Sequence, residues 1–400
     1  MTVKMEDIKK AQENLKGHLP STRTRKSPKI SDICSADIYF KFENRQHTGA
    51  FKDRGALNCL LNLTAEQRAQ GVVAMSAGNH AQGVAYHAGR LGIPATIVMP
   101  ANTPYVKVRN TENYGATVVL QGDFEGASSH ALVLEKEQDL AFVHPYDDVF
   151  VIAGQGTIAL EMLDSVPDLD CLVVPIGGGG LISGMVVAAK AINPNIKVYG
   201  VQTEMYPAMK QIINGETVKF GGSTIAEGIA VKQPGKITQK IVREMVDDIL
   251  IVKEQMIERA LVMILDNEKT LVEGAGAVPL AAVLSNKDIF KGKKCGLVLC
   301  GGNIDQRLLA NILMRDMVNI GRLGRLRINL PDQPGVLSKV SGIIGECGGN
   351  VVEMTYQHIF SHASVKETSI EIAIETKGSD EFQYIIKSLN EQGFKTVHMQ

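Results

Sequence analysis

Leu172-Val173-Val174-Pro175-Ile176-Gly177-Gly178-Gly179-Gly180-Leu181-Ile182-Ser183-Gly184 passes from a short apolar run, through four glycines, into a stretch with helical spacing that continues to Ala191. An unbroken apolar run of this length reads as a strand buried on both faces, as in a parallel sheet. The glycines after it have no Cβ to hold a ligand away. Their amides, followed by a helix N-terminus, make a nest for an anion. No register completes G-x-G-x-x-G, and the G-K-[ST] ending of a P-loop is missing. A monophosphate is the ligand this loop fits, with a merely flexible turn as the alternative.

Further runs of the same kind lie at Asp37–Phe42, Val72–Ser76, Ala95–Met99, Ala116–Leu120, Lys197–Val201, Ile249–Val252 and Gly296–Leu299. Helical periodicity falls between them, at Gln82–Leu91, Gly156–Leu163 and Leu181–Ala191. Buried runs alternating with helices predict an α/β chain with parallel-rich sheets. Past residue 320 the pattern changes. Strand candidates Arg325–Leu330, Val351–Ile359, Thr368–Glu375 and Thr396–His398 interleave with helix candidates Gly335–Cys347 and Asp380–Gln392. That order, βαββαβ, is the order of a small ferredoxin-like domain. Residues 319–324 hold two glycines and read as a linker. There is no internal repeat and no low-complexity tract.

Four hundred residues exceed one simple core, so more than one folding unit is expected. The chain is 44% apolar and 21% charged, with a net charge of −1, which gives nucleic acid or anionic lipid no general attraction. The basic run Arg23-Thr24-Arg25-Lys26 reads as a solvated stretch. The N-terminal residues lack a signal-peptide core, and no run of about twenty apolar residues suggests a membrane span. Six dispersed cysteines without C-x-x-C spacing are expected to be reduced thiols, in keeping with a cytoplasmic protein.

Three further segments carry chemistry. In Thr48-Gly49-Ala50-Phe51-Lys52-Asp53-Arg54 a lysine follows a glycine loop at a helix start. The helix N-terminus and burial both lower the pKa of such an amine, as Schiff-base chemistry with an aldehyde cofactor requires. An ordinary helix-start lysine is the equal alternative. Ser76-Ala77-Gly78-Asn79-His80 is another strand-to-helix turn, with free amides for a carboxylate and an Asn side chain for a ring hydroxyl, or else a plain Asx-capped turn. Leu299-Cys300-Gly301-Gly302-Asn303 ends a strand, and Cys300 could be no more than a small buried apolar residue.

In this order the four segments resemble the fold-type-II pyridoxal-phosphate enzymes, and within them the threonine/serine dehydratase (threonine ammonia-lyase) branch, over roughly residues 20–315. Ala226-Glu227-Gly228-Ile229-Ala230-Val231-Lys232 and Glu273-Gly274-Ala275-Gly276-Ala277 extend the likeness. Leu330-Pro331-Asp332-Gln333-Pro334-Gly335-Val336-Leu337 is similar to the first loop of an ACT domain. The resemblance implies a two-lobed catalytic domain over 1–318, its smaller lobe being roughly 50–155, then the linker and an ACT regulatory domain over 325–400. It implies pyridoxal 5′-phosphate as cofactor and Lys52 as the Schiff-base lysine and Cα base. Phe51 would pack on the ring, Asn79 would bond the 3′-oxygen, and Gly177, Gly178, Gly179, Gly180 and the amide of Leu181 would hold the phosphate. Cys300 would face the ring nitrogen. Ser76, Ala77, Gly78, Asn79 and His80 would receive the substrate.

The implied reaction is β-elimination and deamination of L-threonine, and of L-serine as well. The small domain implies an amino-acid effector, isoleucine or valine, around Asp332, Gly335, Leu337 and Asn350 at a contact between two ACT domains, and a homodimer or homotetramer. Three departures matter. Ala50 stands where many relatives have Ser. Ala77 stands where serine racemases carry a reprotonating Ser, which argues against racemisation. Lys210, beside the family's cation-site positions Glu204 and Ala208, brings a positive charge, so no metal is expected. Lys52-Asp53-Arg54 is shared with threonine synthases, which keeps that activity open, as it does an idle amino-acid sensor.

Overall fold

The computed structural model describes residues 2–357 and 367–399 and divides the chain into two compact units, Met1–Ile304 and Asp305–Gln400. The first unit contains two sheets. The larger runs in the order Thr24–Lys26, Asp37–Lys41, Lys294–Val298, Cys171–Pro175, Lys197–Thr203, Asp248–Val252. All its neighbours are parallel except the first pair. The smaller sheet, Thr117–Leu120, Ala95–Met99, Val72–Met75, Ala141–Phe142, is wholly parallel. The central strands are apolar throughout because helices cover both faces, and all five residues of Cys171–Pro175 are buried.

Parallel strands leave all their carboxyl ends on one edge, which is where open α/β sheets place ligands. Lys41 pairs with Val298 and Leu297 with Val173, so three of the chemical segments leave the larger sheet side by side. The fourth leaves Met75 of the smaller sheet and enters helix Asn79–Leu91, which stops at Gly92 in a left-handed conformation. Lys52 begins helix Lys52–Leu61, and Gly180 begins Gly180–Ile192. The basic run is not only a solvated stretch: Thr24–Lys26 is an edge strand, with Arg25 paired to Glu268 and Lys26 to Asp37.

The second unit starts earlier than the composition change suggested. Helix Gln306–Asn319 falls within it, Gly321 closes that helix, and Gly324 already lies in strand Leu323–Pro331, against the ring of Phe382. The order is strand Leu323–Pro331, helix Val336–Glu346, strands Asn350–Gln357 and Glu367–Glu375, helix Ser379–Glu391, strand Thr396–Met399. The sheet is antiparallel. Leu326, Ile328, Leu330, Ile370, Ile372 and Ile374 alternate onto one face and pack on Ile344 and Ile385 of the helices. Residues 358 and 359 of the expected second strand lie outside the described residues.

Candidate active site

Lys52 is partly buried. Its ammonium donates to the carbonyl of Pro145 at 2.5 Å and stands 5.2 Å from the Phe51 ring centroid. Burial lowers its pKa from 10.5 to about 8, against the opposing pull of Cys300 and Glu273. A substantial neutral fraction near pH 8 makes it a nucleophilic amine, as an ordinary helix-start lysine is not. The Phe51 amide donates to the Cys300 carbonyl at 2.9 Å, which ties the lysine turn to the end of strand Lys294–Val298.

The Cys300 thiol is buried, and burial, then the neighbouring Glu273, raises its pKa well above the usual thiol range. It is a neutral group. Asn79 donates through Nδ2 to Glu273 at 2.8 Å and accepts from Asn303 at 2.8 Å. Among the described residues, no backbone or side-chain acceptor is paired with the amides of Gly178, Gly179, Gly180 and Leu181. Gly179 takes the left-handed conformation, φ 98°, that turns this loop into the helix. A Cβ on Gly178 would collide with the Tyr146 ring, so that glycine also admits a neighbouring chain segment. A buried amine of lowered pKa, a neutral thiol, an oriented amide and unpaired amides at a helix start fit an aldehyde cofactor with a phosphate tail.

In the turn Ser76–Gly78 the Ser76 hydroxyl accepts from the Gly78 amide at 3.1 Å. The amides of Asn79 and His80, at the first turn of their helix, have no partner among the described residues. His80 Nε2 is 2.8 Å from the Val143 carbonyl, and burial, then Lys52, depresses its pKa to about 3. Its Nδ1 is buried without a partner.

Three neighbours were not legible as site residues. Tyr146 packs on Gly178, and its hydroxyl donates to Gln233 O. Asp147 accepts from the amides of Lys236, Ile237 and Thr238 at 2.8, 2.9 and 3.2 Å, capping helix Lys236–Met245. Thr238 in turn donates to Gly178 O at 2.6 Å. The signal for them lay in glycines that a neighbour requires, and a neighbour's identity is not in the local sequence.

Behind Lys52 lies a buried ion network. Arg54 binds Glu43 through two bonds of 2.8 Å, Glu161 at 2.6 and 2.8 Å, and Thr157 at 3.0 Å, which employs all five of its N–H donors. Lys41 joins Glu161 and the Thr22 carbonyl. Burial alone would raise the Glu43 carboxyl, but Arg54 and Lys41 hold it at about 2.

At the family's cation-site positions the Lys210 ammonium donates to the Ile249 carbonyl at 2.7 Å, and its amide bonds Gln202. In the second unit the expected effector residues separate. Asp332 and Gly335 follow the end of strand Leu323–Pro331, whereas Asn350 pairs with Glu375, level with Leu323 at the strand's start. Nine residues of strand, about 27 Å, lie between them. Tyr356 is the residue near Asp332, with its hydroxyl 3.5 Å from Oδ1.

A family model described as pyridoxal-phosphate dependent enzyme matches residues 15–301. The chain is 43% identical over 396 residues to an L-threonine ammonia-lyase of Thermotoga maritima, covering 98% of each. Maize serine racemase superposes with a TM-score of 0.74 at 34% identity, covering 80% of this chain and 99% of its own. The processed form of threonine deaminase isoform 2 from Solanum lycopersicum gives 0.73 at 34% identity, covering 78% and 86%. No described helix is long and apolar enough to cross a membrane, and all six cysteines are free.

Proposed function

The chain belongs to the pyridoxal-phosphate-dependent enzymes, and from that premise we propose that it is an L-threonine ammonia-lyase, converting L-threonine to 2-oxobutanoate and ammonia and acting on L-serine in the same way. The observation that carries this reading is the partly buried Lys52, with its lowered pKa, beside a neutral Cys300 and the unpaired amides of Gly178–Leu181.

When bound, pyridoxal phosphate supplies the electron sink for charge developing at the substrate Cα. The amides of Gly178, Gly179, Gly180 and Leu181 would hold its phosphate, Asn79 its 3′-oxygen, Phe51 its ring face and Cys300 its ring nitrogen. Lys52, once free, takes the Cα proton, and near-neutral operation follows from its pKa of about 8. The amides of Asn79 and His80 receive the substrate carboxylate. A neutral thiol cannot keep the ring nitrogen protonated as a carboxylate would. The sink would therefore be weaker, which would favour loss of the β-hydroxyl, protonated by a general acid so that it leaves as water, over transamination. Ala77 carries no proton to return to Cα, which favours elimination over racemisation although the fold is that of a serine racemase as much as of a threonine deaminase. Equal amounts of 2-oxobutanoate and ammonia from L-threonine are the expected products. Absence of any 2-oxoacid from threonine and serine, or phosphate release from O-phosphohomoserine, would refute the assignment.

The second unit supports a regulatory role, as an ACT domain. Its βαββαβ order fits, and the Thermotoga relative spans this part of the chain. Val352, Met354 and Tyr356 are exposed on strand Asn350–Gln357, as a face awaiting a second copy would be. Because one chain keeps Asn350 far from Asp332, Gly335 and Leu337, an effector touching all four sits between two copies, in a homodimer or homotetramer. L-Isoleucine or L-valine is expected to shift the threonine concentration for half-maximal rate by about 5- to 150-fold. An Asn350→Ala variant should lose the response without losing basal turnover; unchanged kinetics at any concentration of either amino acid would rule the regulation out.

A further inference from the structure

On the reading that Asn79 meets the cofactor's 3′-oxygen, its side chain could present either an N–H or a carbonyl. The two favour opposite protonation states of that oxygen. Nothing in Asn79 itself decides between them, since the two ends of a carboxamide have the same shape.

Its neighbours decide. The Thr48 carbonyl can only accept, and Asn303 Nδ2 donates to it at 2.7 Å. The same nitrogen donates its second hydrogen to Asn79 Oδ1 at 2.8 Å. On the other side Glu273 Oε1 accepts from Asn79 Nδ2 at 2.8 Å. Rotating the Asn79 amide by half a turn would set N–H against N–H at Asn303, and carbonyl against carboxylate oxygen at Glu273 whenever that group, raised by burial to about 7, is ionised. Both contacts would be lost together when Glu273 is ionised, leaving partly buried polar groups unpaired.

Gly301 makes the arrangement possible. A Cβ there would collide with the Glu273 carboxyl and lie 3.1 Å from Asn79 Nδ2, while the Gly301 carbonyl accepts from the Glu273 amide at 3.0 Å. The second glycine, Gly302, donates to Gly49 O at 2.9 Å and so ties the strand end to the lysine loop.

We propose that Asn303 and Glu273 are positioning residues that lock the Asn79 amide, so that its remaining N–H is the contact offered to the cofactor's 3′-oxygen and holds that oxygen as the anion. Neither residue touches the reacting atoms. Their effect is on the cofactor's protonation state, and it is legible in colour.

The test is the absorption spectrum of the holoenzyme together with cofactor affinity by fluorescence titration. Asn303→Ala and Glu273→Ala should each move absorbance from the yellow long-wavelength band to the near-ultraviolet band of the protonated ring oxygen. Cofactor binding should weaken about tenfold, as for one buried hydrogen bond. Glu273→Gln, whose amide oxygen accepts the same N–H, should keep the wild-type spectrum. Asn79→Ala should show the full shift, and adding Asn303→Ala to it should change nothing more. If an alanine variant fails to fold, Asn303→Asp replaces it, since its carboxylate cannot donate to Thr48 or Asn79, and the same shift is expected. Wild-type bands in the Asn303 and Glu273 variants beside altered bands in Asn79→Ala would overturn the lock. Unaltered bands in Asn79→Ala would overturn the assignment of Asn79 on which it rests.

Discussion

Lys52→Met is expected to abolish turnover while making the cofactor-free protein more stable. The chemistry loses both its attachment point and its Cα base, so kcat/KM for threonine should fall by about 10⁴-fold or more. Stability should move the other way. The side chain is partly buried, and its pKa in the fold is about 8 against 10.5 in an open chain. A base whose folded pKa lies below its unfolded one penalises folding. The penalty is full below about pH 8, where both states are protonated, and it fades as the pH rises toward 10.5. A shift of this size corresponds to about 3 kcal/mol, and methionine keeps the length of the side chain without the charge. Urea unfolding of the cofactor-free proteins should therefore favour the variant at pH 7 and show little difference near pH 10.5. A variant less stable at pH 7 would mean that Lys52 is structural.

Arg54→Ala, two residues on, is expected to do the opposite. Glu43 is fully buried and Glu161 three-quarters so, and the guanidinium is their principal partner. Its removal leaves two carboxylates facing one buried ammonium, Lys41. Loss of one partner from a buried ion network costs about 3–5 kcal/mol. The wild-type network favours the fold above the open-chain carboxyl range and loses its effect only as pH falls through about 2, the folded value of Glu43. In the variant the unpaired carboxyls must rise instead, so its deficit should be largest at pH 7 and shrink toward pH 5. A midpoint in urea within experimental error of wild type would show that the network is replaceable.

The backbone of the site was legible in the sequence because each segment announces itself locally. An apolar run, a glycine turn and a helix start are features of consecutive residues, and they single out the segments holding Lys52, Asn79, Gly177–Gly180 and Cys300; the roles proposed for those residues come from the family resemblance. The strand limits held to within a few residues for the same reason, as with Ala95–Met99 and Lys197–Thr203. What was not legible depends on residues far apart in the chain. Asn303 and Glu273 matter only because the fold sets them against Asn79, and Asp147 caps a helix ninety residues away. The edge strand Thr24–Lys26 was missed because three polar residues carry no period; pairing with Asp37–Lys41 creates it.

The unpaired amides of Gly178–Leu181 and the crossing of Tyr146 over Gly178 explain the tetraglycine in two ways at once. A substitution such as Gly178→Ala would displace the Tyr146 ring, and with it the phosphate site proposed for this loop. Consequences of that loop are therefore hard to divide, whereas attachment of the cofactor to Lys52 can be tested by itself.

Reduction of the yellow holoenzyme with borohydride, followed by peptide mass mapping, tests that attachment most directly. One phosphopyridoxyl group per chain, on the peptide containing Lys52 and absent from Lys52→Met, is the predicted result. A label on another lysine, such as Lys41 or Lys210, or no label on a protein that still binds the cofactor, would contradict the account.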